Sequence, residues 1–282
     1  GLSGNAKSIP AKPSKGFPKH QALAYAAPSV ALALLLGPLG LLPVIYAKYF
    51  GLALTTLATV MLVARIFDAV TDPLIAHYSD LYRRKHGTRK PFVLVGGVGC
   101  MFSMYFLCVP IGEVTIAYFA FWYFVYYLFH TIYQVPMSAW AIEVTNDPEG
   151  RTFLFSVLIF ITKLGGLLFF FVPFLPMFAS TDYTPETIKV AVILGMVLML
   201  PALFLVLKYV PNGPQIISES NTTSQEKSKE KNKEKAKEKA DSFKQNLLDF
   251  YATAKHNKPF HIYLGAGFFS AMGMGMFGGL FF

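Results

Sequence analysis

Runs of about 20 apolar residues recur along the chain, separated by short polar stretches. A run of this length is what an α-helix needs to cross the hydrocarbon core of a bilayer. The pattern predicts six spanning helices and the start of a seventh near Pro259, which the chain end at Phe282 cuts short. The predicted helices cover residues 21–47, 52–79, 91–111, 114–140, 152–179 and 189–208. The pattern is typical of an all-α polytopic membrane protein.

Glycine and proline modify this pattern at two places. Pro28, Pro38 and Pro43 lie inside the first predicted helix and are expected to kink it, which neighbouring helices can compensate in a membrane. The pair Gly165-Gly166 in the fifth helix lets another helix approach closely, because neither residue has a Cβ.

Composition supports the membrane assignment. The 282 residues are 54% hydrophobic and only 15% charged, well below the roughly 25% charged residues of soluble domains. The net charge of +9 comes from lysines in loops, so it indicates membrane orientation better than nucleic-acid binding. Cys100 and Cys108 share one apolar run and are expected to pack as small side chains. We find no enzyme motif, metal-ligand spacing or cofactor motif, so an enzyme is not expected.

Two hydrophilic segments flank the six-helix region. Residues 1–20 form a basic arm, and residues 211–258 form a long connector. Within the connector, the charged repeat at 226–240 fits a solvated spacer or a segment docked on anionic lipid headgroups. Residues 242–256 look amphipathic and are expected to lie along the inner interface. The chain starts at Gly1 rather than Met, and we expect both ends to be incomplete.

Lysine and arginine predict the orientation. All but a few of the 25 basic residues fall in the arm, the 2–3 and 4–5 loops, the end of the sixth helix and the connector. The exceptions are Lys48, Arg65, Lys163 and Lys189. Because an even number of crossings separates these segments, they share one side, and the positive-inside rule makes that side cytoplasmic. The N-terminus and the connector are therefore expected in the cytoplasm.

The second predicted helix carries charges at membrane depth. Arg65, Asp68 and Asp72 follow i, i+3, i+7 spacing, so they share one helical face. Such charges are costly in a bilayer and are expected to face a bundle interior or a wet cavity. The pattern fits a functional ion site, with the two carboxylates binding a cation or sharing a proton. It also fits a fixed Arg–Asp pair that locks two helices.

These residues carry a family resemblance. Arg65 begins the sequence R-x-x-D-A-x-x-D-P, and Asp80, Arg83-Arg84 and Arg89-Lys90-Pro91 follow it. Support comes from Pro136, from the segment 143–151 and from N-K-P-F at 257–260. Together these residues resemble the glycoside–pentoside–hexuronide:cation symporters of the major facilitator superfamily, from about Tyr25 onward.

The resemblance implies a fold and an ion site. The fold would be the N-terminal six-helix half of a major-facilitator protein plus the start of helix 7, with a C-terminal six-helix half expected beyond it. The coupling-ion site would comprise Asp68, Asp72, Thr71 and Thr131. Four oxygen-bearing side chains favour Na⁺, although a proton also fits because buried paired carboxylates have one raised pKa.

In addition to Arg65, further polar residues are candidates for lining the solute cavity. Tyr123, Tyr127, His130 and Gln134 lie on one face of the fourth predicted helix, which is either an aromatic packing face or a substrate wall. Lys163 falls near mid-bilayer in the fifth predicted helix. It could be a charge-compensating switch, a structural pair or a snorkelling residue.

The chain departs from the family's galactoside carriers at their charged sugar-binding positions. The matching places fall on uncharged residues near Leu32, Gln134, Ser138 and Ile159. A galactoside site of that kind is therefore not expected here.

Loop charges form the last candidate group. We expect a cytoplasmic gate of inter-helix ion pairs, although solvated loop charge fits as well. The candidate gate residues are Asp80, Arg83, Arg84, Glu143 and Arg151.

The functional prediction is cation-coupled transport of a small, sugar-like solute by alternating access, in the plasma (inner) membrane. The expected partners are the solute and membrane lipid, with no nucleic acid, and the coupling ion is Na⁺ or H⁺. A lysolipid carrier and a non-transporting membrane scaffold or sensor are the alternatives.

Overall fold

The computed structural model of the chain describes residues 17–145 and 147–213. Most of the basic arm, nearly all of the connector with its amphipathic segment, and the predicted seventh helix lie outside these described residues. The described part is a bundle of α-helices. The α-helices are α1 (Lys19–Leu36), α2 (Leu42–Phe50), α3 (Leu54–His86), α4 (Lys90–Cys108), α5 (Ile116–Val144), α6 (Pro148–Phe171) and α7 (Pro185–Tyr209).

The first predicted helix is broken rather than kinked. A short 3₁₀ segment at Gly37–Gly40 separates α1 from α2. Pro38 lacks a backbone N–H and favours a tighter turn, and Pro43 stands in the first turn of α2. By contrast, Pro28 is accommodated inside α1. The prediction of one kinked helix over 21–47 is therefore wrong.

At the basic end of the bundle, α3 and α6 extend beyond the apolar runs from which they were predicted. Helix α3 continues to His86, and Gly87 ends it in a left-handed conformation with φ of 73°. Helix α6 begins at Pro148, capped by the Asp147 side chain. The predicted polar loops 80–90 and 143–151 are consequently mostly helical, because charged residues propagate a helix well once it leaves the bilayer.

Close packing positions the functional helices. Helix α5 packs against α3 and α4, and α1 packs against α6 and α7. Gly165 allows the α1–α6 contact, because a Cβ there would lie 2.7 Å from the Val30 carbonyl oxygen. Gly166 faces open space. Of the predicted pair, only Gly165 therefore makes the close approach within the described residues.

Five helical segments in the described residues are long and apolar enough to cross a membrane. Helix α5 is not among them, although its 29 residues could span a bilayer. Its many tyrosines and polar side chains lower its hydropathy. In the most apolar stretch of α3, and likewise of α6, only 17% of the residues are buried. Both helices therefore present long faces that no other part of the described bundle covers.

Candidate functional site

Helices α3 and α5 bring two of the predicted ion ligands into contact. The Thr131 hydroxyl donates a hydrogen bond of 2.8 Å to Asp68 Oδ1. Thr131 is buried and Asp68 is half-buried, whereas Asp72, one turn along α3, is exposed. The Thr71 hydroxyl donates to the backbone carbonyl of Asp68 at 3.2 Å. Carboxylate and hydroxyl oxygens from two helices therefore lie within one turn of α3.

Arg65 does not pair with these carboxylates. Within the described segments, no basic nitrogen lies within 4.0 Å of Asp68 or Asp72. The Arg65 guanidinium instead lies over the Tyr127 ring, 5.0 Å from its centroid. Tyr127 is buried and accepts a hydrogen bond of 3.4 Å from the Tyr123 hydroxyl. In this conformation the fixed Arg–Asp pair is not formed, and the two carboxylates have no cationic partner from the described chain.

A cavity of about 310 Å³ lies on the neighbouring side of α5, between α1, α5 and α6. Its described polar lining includes no Asp, Glu, Lys or Arg, and consists of Tyr25, Ser29, His130, Tyr133, Gln134, Ser138 and Thr162. Leu32 and Leu158 supply part of the apolar wall. Three of the uncharged positions predicted from the family comparison, Leu32, Gln134 and Ser138, thus line one cavity.

The predicted polar stripe of α5 divides in two. His130 and Gln134 line the cavity, whereas Tyr123 and Tyr127 are buried in aromatic packing that includes a ring contact between them at 5.0 Å. The packing interpretation therefore holds for Tyr123 and Tyr127, and the substrate-wall interpretation remains a hypothesis for His130 and Gln134. His130 also directly precedes Thr131 in the chain, so adjacent residues of α5 reach the cavity and the Asp68 carboxylate.

Lys163 lies on an exposed face of α6 and does not line the cavity. Among the residues that the structure describes, it forms no ion pair. The structure therefore does not bring Lys163 to Asp68 or Asp72, and the structural pair, one of the three alternatives for this residue, is not formed within the described bundle.

A partly buried charge network lies at the basic end of the bundle. Arg83 Nε lies 2.6 Å from Glu143 Oε2, and Arg89 Nη2 lies 2.9 Å from Glu143 Oε1. The same Arg89 guanidinium donates to Asp80 and, at 2.7 Å, to the Ser79 hydroxyl. Burial lowers the pKa of Arg89, but its bonds to Glu143 and Asp80 more than offset this, so its pKa is raised. The network ties the end of α3 and the short loop 87–89 to α5.

Sequence reasoning selected some of these residues and missed the central one. Among the described residues, exposed Arg84 forms no ion pair, and neither does Arg151, whose side chain donates to the Thr145 hydroxyl at 3.5 Å. Arg89, only 7% exposed, takes the central place. The available signal was its position directly before Lys90-Pro91, where α4 begins. That position holds it beside the end of α3.

Hydrogen bonds join the residues after α7 to the same network and to α5. Arg83 Nη2 donates to the Gly213 carbonyl at 3.2 Å, and Trp140 Nε1 donates to the Pro211 carbonyl at 2.9 Å. Gly213 packs so closely on Glu143 that a Cβ would lie 2.7 Å from the Glu143 Cβ. The first residues of the predicted connector thus form part of the network.

Comparison with known sequences gives the family. Residues 22–282 match the family described as MFS/sugar transport protein. The chain is 34% identical over 131 residues to "Putative glycoside/cation symporter YagG" of Escherichia coli (strain K12), covering 45% of this chain and 28% of that protein. It is 31% identical over 127 residues to "Inner membrane symporter YicJ" of the same organism, covering 44% and 27%.

A third relative has similar coverage. The chain is 28% identical over 168 residues to "Uncharacterized symporter YnaJ" of Bacillus subtilis (strain 168), covering 57% of this chain and 36% of that protein. The matched segments therefore span about a third of the length of these relatives, or less. By its matched residues and its helical architecture, the chain belongs to the MFS/sugar transport family, among the glycoside–pentoside–hexuronide:cation symporters of the major facilitator superfamily.

Proposed function

We propose that this chain forms the N-terminal half of a cation-coupled symporter for a small neutral solute of the glycoside class. The observation that carries the proposal is the Asp68–Thr131 contact of 2.8 Å, formed beside a cavity and without a basic partner within the described segments. Isolated carboxylates at membrane depth are costly and need a counter-charge. A bound cation from solution supplies that charge.

The ion site would comprise Asp68, Asp72, Thr71 and Thr131, with Na⁺ favoured and H⁺ as the alternative. The two threonine hydroxyls add neutral oxygen ligands, which Na⁺ accepts and a proton does not require. The Thr131 hydroxyl has two lone pairs, so it can present oxygen to the ion while it still donates to Asp68. Because the ligands come from both α3 and α5, conformations that move these helices relative to each other would bind the ion with different energies, which coupling requires.

The solute would bind in the cavity between α1, α5 and α6. Hydroxyl and amide groups such as those of Ser29, Gln134 and Ser138 suit the hydroxyls of a sugar, and apolar walls suit its C–H faces. The absence of a fixed charge among the described lining residues favours a neutral glycoside over a uronide. A volume of about 310 Å³ is at the low end for ligand pockets, which disfavours the lysolipid alternative.

The network of Arg83, Arg89, Glu143 and Asp80 would hold the basic end closed while the cavity opens to the other side. We place this end in the cytoplasm, since basic loops remain inside, and the protein in the plasma (inner) membrane. Rupture and re-formation of the network would accompany alternating access.

Transport by the full-length protein tests the proposal. Vesicles containing it are given an imposed Na⁺ or pH gradient, and the initial uptake of radiolabelled methyl-glycosides is measured. We expect gradient-driven accumulation that the Asp72→Asn variant does not show. The Asp182→Asn variant makes the same substitution on an exposed residue before α7, outside the helices of the ion site, and is expected to retain uptake. Equal accumulation by Asp72→Asn and the parent protein would refute the coupling role.

A further inference from the structure

A second, larger cavity lies outside the site described above. It is a groove of about 890 Å³ between α1, α6 and α7. Its walls are apolar side chains such as Leu23, Val30 and Ile161, and its polar lining residues in the described structure are His20 and Tyr209. His20 stands at the start of α1 and Tyr209 at the end of α7. The groove is therefore apolar along its length and polar at the basic end of the bundle.

The length of the groove matches one leaflet of a bilayer. Along α1 it extends from His20 to Val30, and ten residues of α-helix rise about 15 Å. Half of a hydrocarbon core of about 30 Å has the same depth. Histidine and tyrosine at one mouth stand where headgroups meet the apolar core, the position such side chains favour in membrane proteins.

The charge at that mouth is positive. Lys19 begins α1, and Lys208 Nζ lies 5.5 Å from the centroid of the Tyr209 ring that lines the groove. The acidic side chains at that end of α6 are Asp147, which caps the helix, and Glu149 in its first turn, and neither lines the groove. Glu186 lies in the first turn of α7, at the opposite end. Two lysines therefore stand beside the mouth where a lipid headgroup would sit.

We propose that this groove binds one acyl chain of an anionic glycerophospholipid, with the headgroup held by Lys19, Lys208 and the polar edges of His20 and Tyr209. The lipid comes from the leaflet at the basic end of the bundle. Its acyl chain fills the groove between α1, α6 and α7. The site is separate from the cavity that His130 lines, and the proposal does not depend on the transport function.

Lipid retention by the purified full-length protein tests this proposal. The protein in detergent is incubated with equal amounts of dioleoyl-phosphatidylglycerol and dioleoyl-phosphatidylcholine, unbound lipid is removed by gel filtration, and retained lipid is measured by mass spectrometry. We expect the parent protein to retain phosphatidylglycerol in preference. Lys19→Gln and Lys208→Gln should each reduce that preference about fivefold, the value of one basic residue near an anionic surface.

A bulky substitution distinguishes the groove from other lipid contacts. Ala27 lines the groove, so Ala27→Trp should fill it and reduce retained lipid of both kinds. Val197→Trp introduces the same side chain on an exposed part of α7 that does not line the groove, and should leave retention unchanged. Leu205→Trp, also in the groove, replaces Ala27→Trp if thermal unfolding shows that the latter does not fold.

Two outcomes would overturn the proposal. Equal lipid retention by the Ala27→Trp and Val197→Trp proteins would show that the groove is not a lipid site. Retention of lipid in the groove only after deletion of residues 242–256 would show that this segment of the chain occupies it instead.

Discussion

Replacing Glu143 with Gln tests the charge network at the basic end of the bundle. The carboxylate of Glu143 faces two guanidinium groups, with nitrogen–oxygen distances of 2.6 Å to Arg83 and 2.9 Å to Arg89. The side chains of these arginines are only 10% and 7% exposed. Glutamine keeps the shape of the side chain and one acceptor oxygen, but it removes the counter-charge that both arginines share.

The expected loss of unfolding free energy follows from how deeply the charged partners are buried. Removing one partner of a buried ion pair costs 3–5 kcal/mol. Glu143 is 23% exposed and Asp80 remains beside Arg89, so we expect a loss of about 2 kcal/mol in the free energy of unfolding, which is about 30-fold in the equilibrium. Asp80→Asn should cost less than about 1 kcal/mol, since Asp80 is 53% exposed and water screens its charge.

The free energy of unfolding of the full-length proteins would be measured by titration with sodium dodecyl sulfate. A second readout is the rate at which a thiol reagent applied to the basic end labels a Ser138→Cys residue in the cavity. The loss of unfolding free energy and the increase in the labelling rate should both be larger for Glu143→Gln than for Asp80→Asn. If Asp80→Asn destabilises the protein as much as Glu143→Gln, the reasoning from burial is wrong.

Three further predictions concern the ion site, the helix contact and the orientation. In uptake assays with imposed gradients, Asp72→Asn should retain solute exchange but lose concentrative uptake, and Thr131→Val should weaken Na⁺ stimulation; unchanged stimulation would favour H⁺ as the coupling ion. Gly165→Ala should lower the thermal unfolding temperature, because its Cβ would collide with the α1 backbone, whereas Gly166→Ala, which meets open space, should not. The thiol of an Arg84→Cys variant, on an exposed residue, should be labelled only from the cytoplasmic side; labelling from outside in sealed cells would contradict the proposed orientation.

The sequence did not determine which charged side chains become buried in the bundle. The basic segment 83–90 was recognisable, but which guanidinium becomes buried depends on the turn at Gly87 and on α5 packing beside it. Arg89 was therefore named only as part of the family motif and not as a gate residue, whereas exposed Arg84 was selected for the gate. Lys163 was expected near mid-bilayer, but depth along a helix does not decide which face of α6 meets a neighbour.

The order of the described helices followed from apolar length, because a helix satisfies its own backbone hydrogen bonds and needs only enough apolar residues to span the bilayer. The break at Gly37–Gly40, which divides the first predicted helix in two, did not follow. The contact between Asp68 and Thr131 did not follow in this way, although both residues were named as ligands. It required α3 and α5 to pack at one particular register. His130 and Thr131 are neighbours in the chain, but a turn of about 100° per residue directs them to different surroundings. Only the packing of α1, α3 and α6 around α5 decided that one would line a cavity and the other would reach a carboxylate.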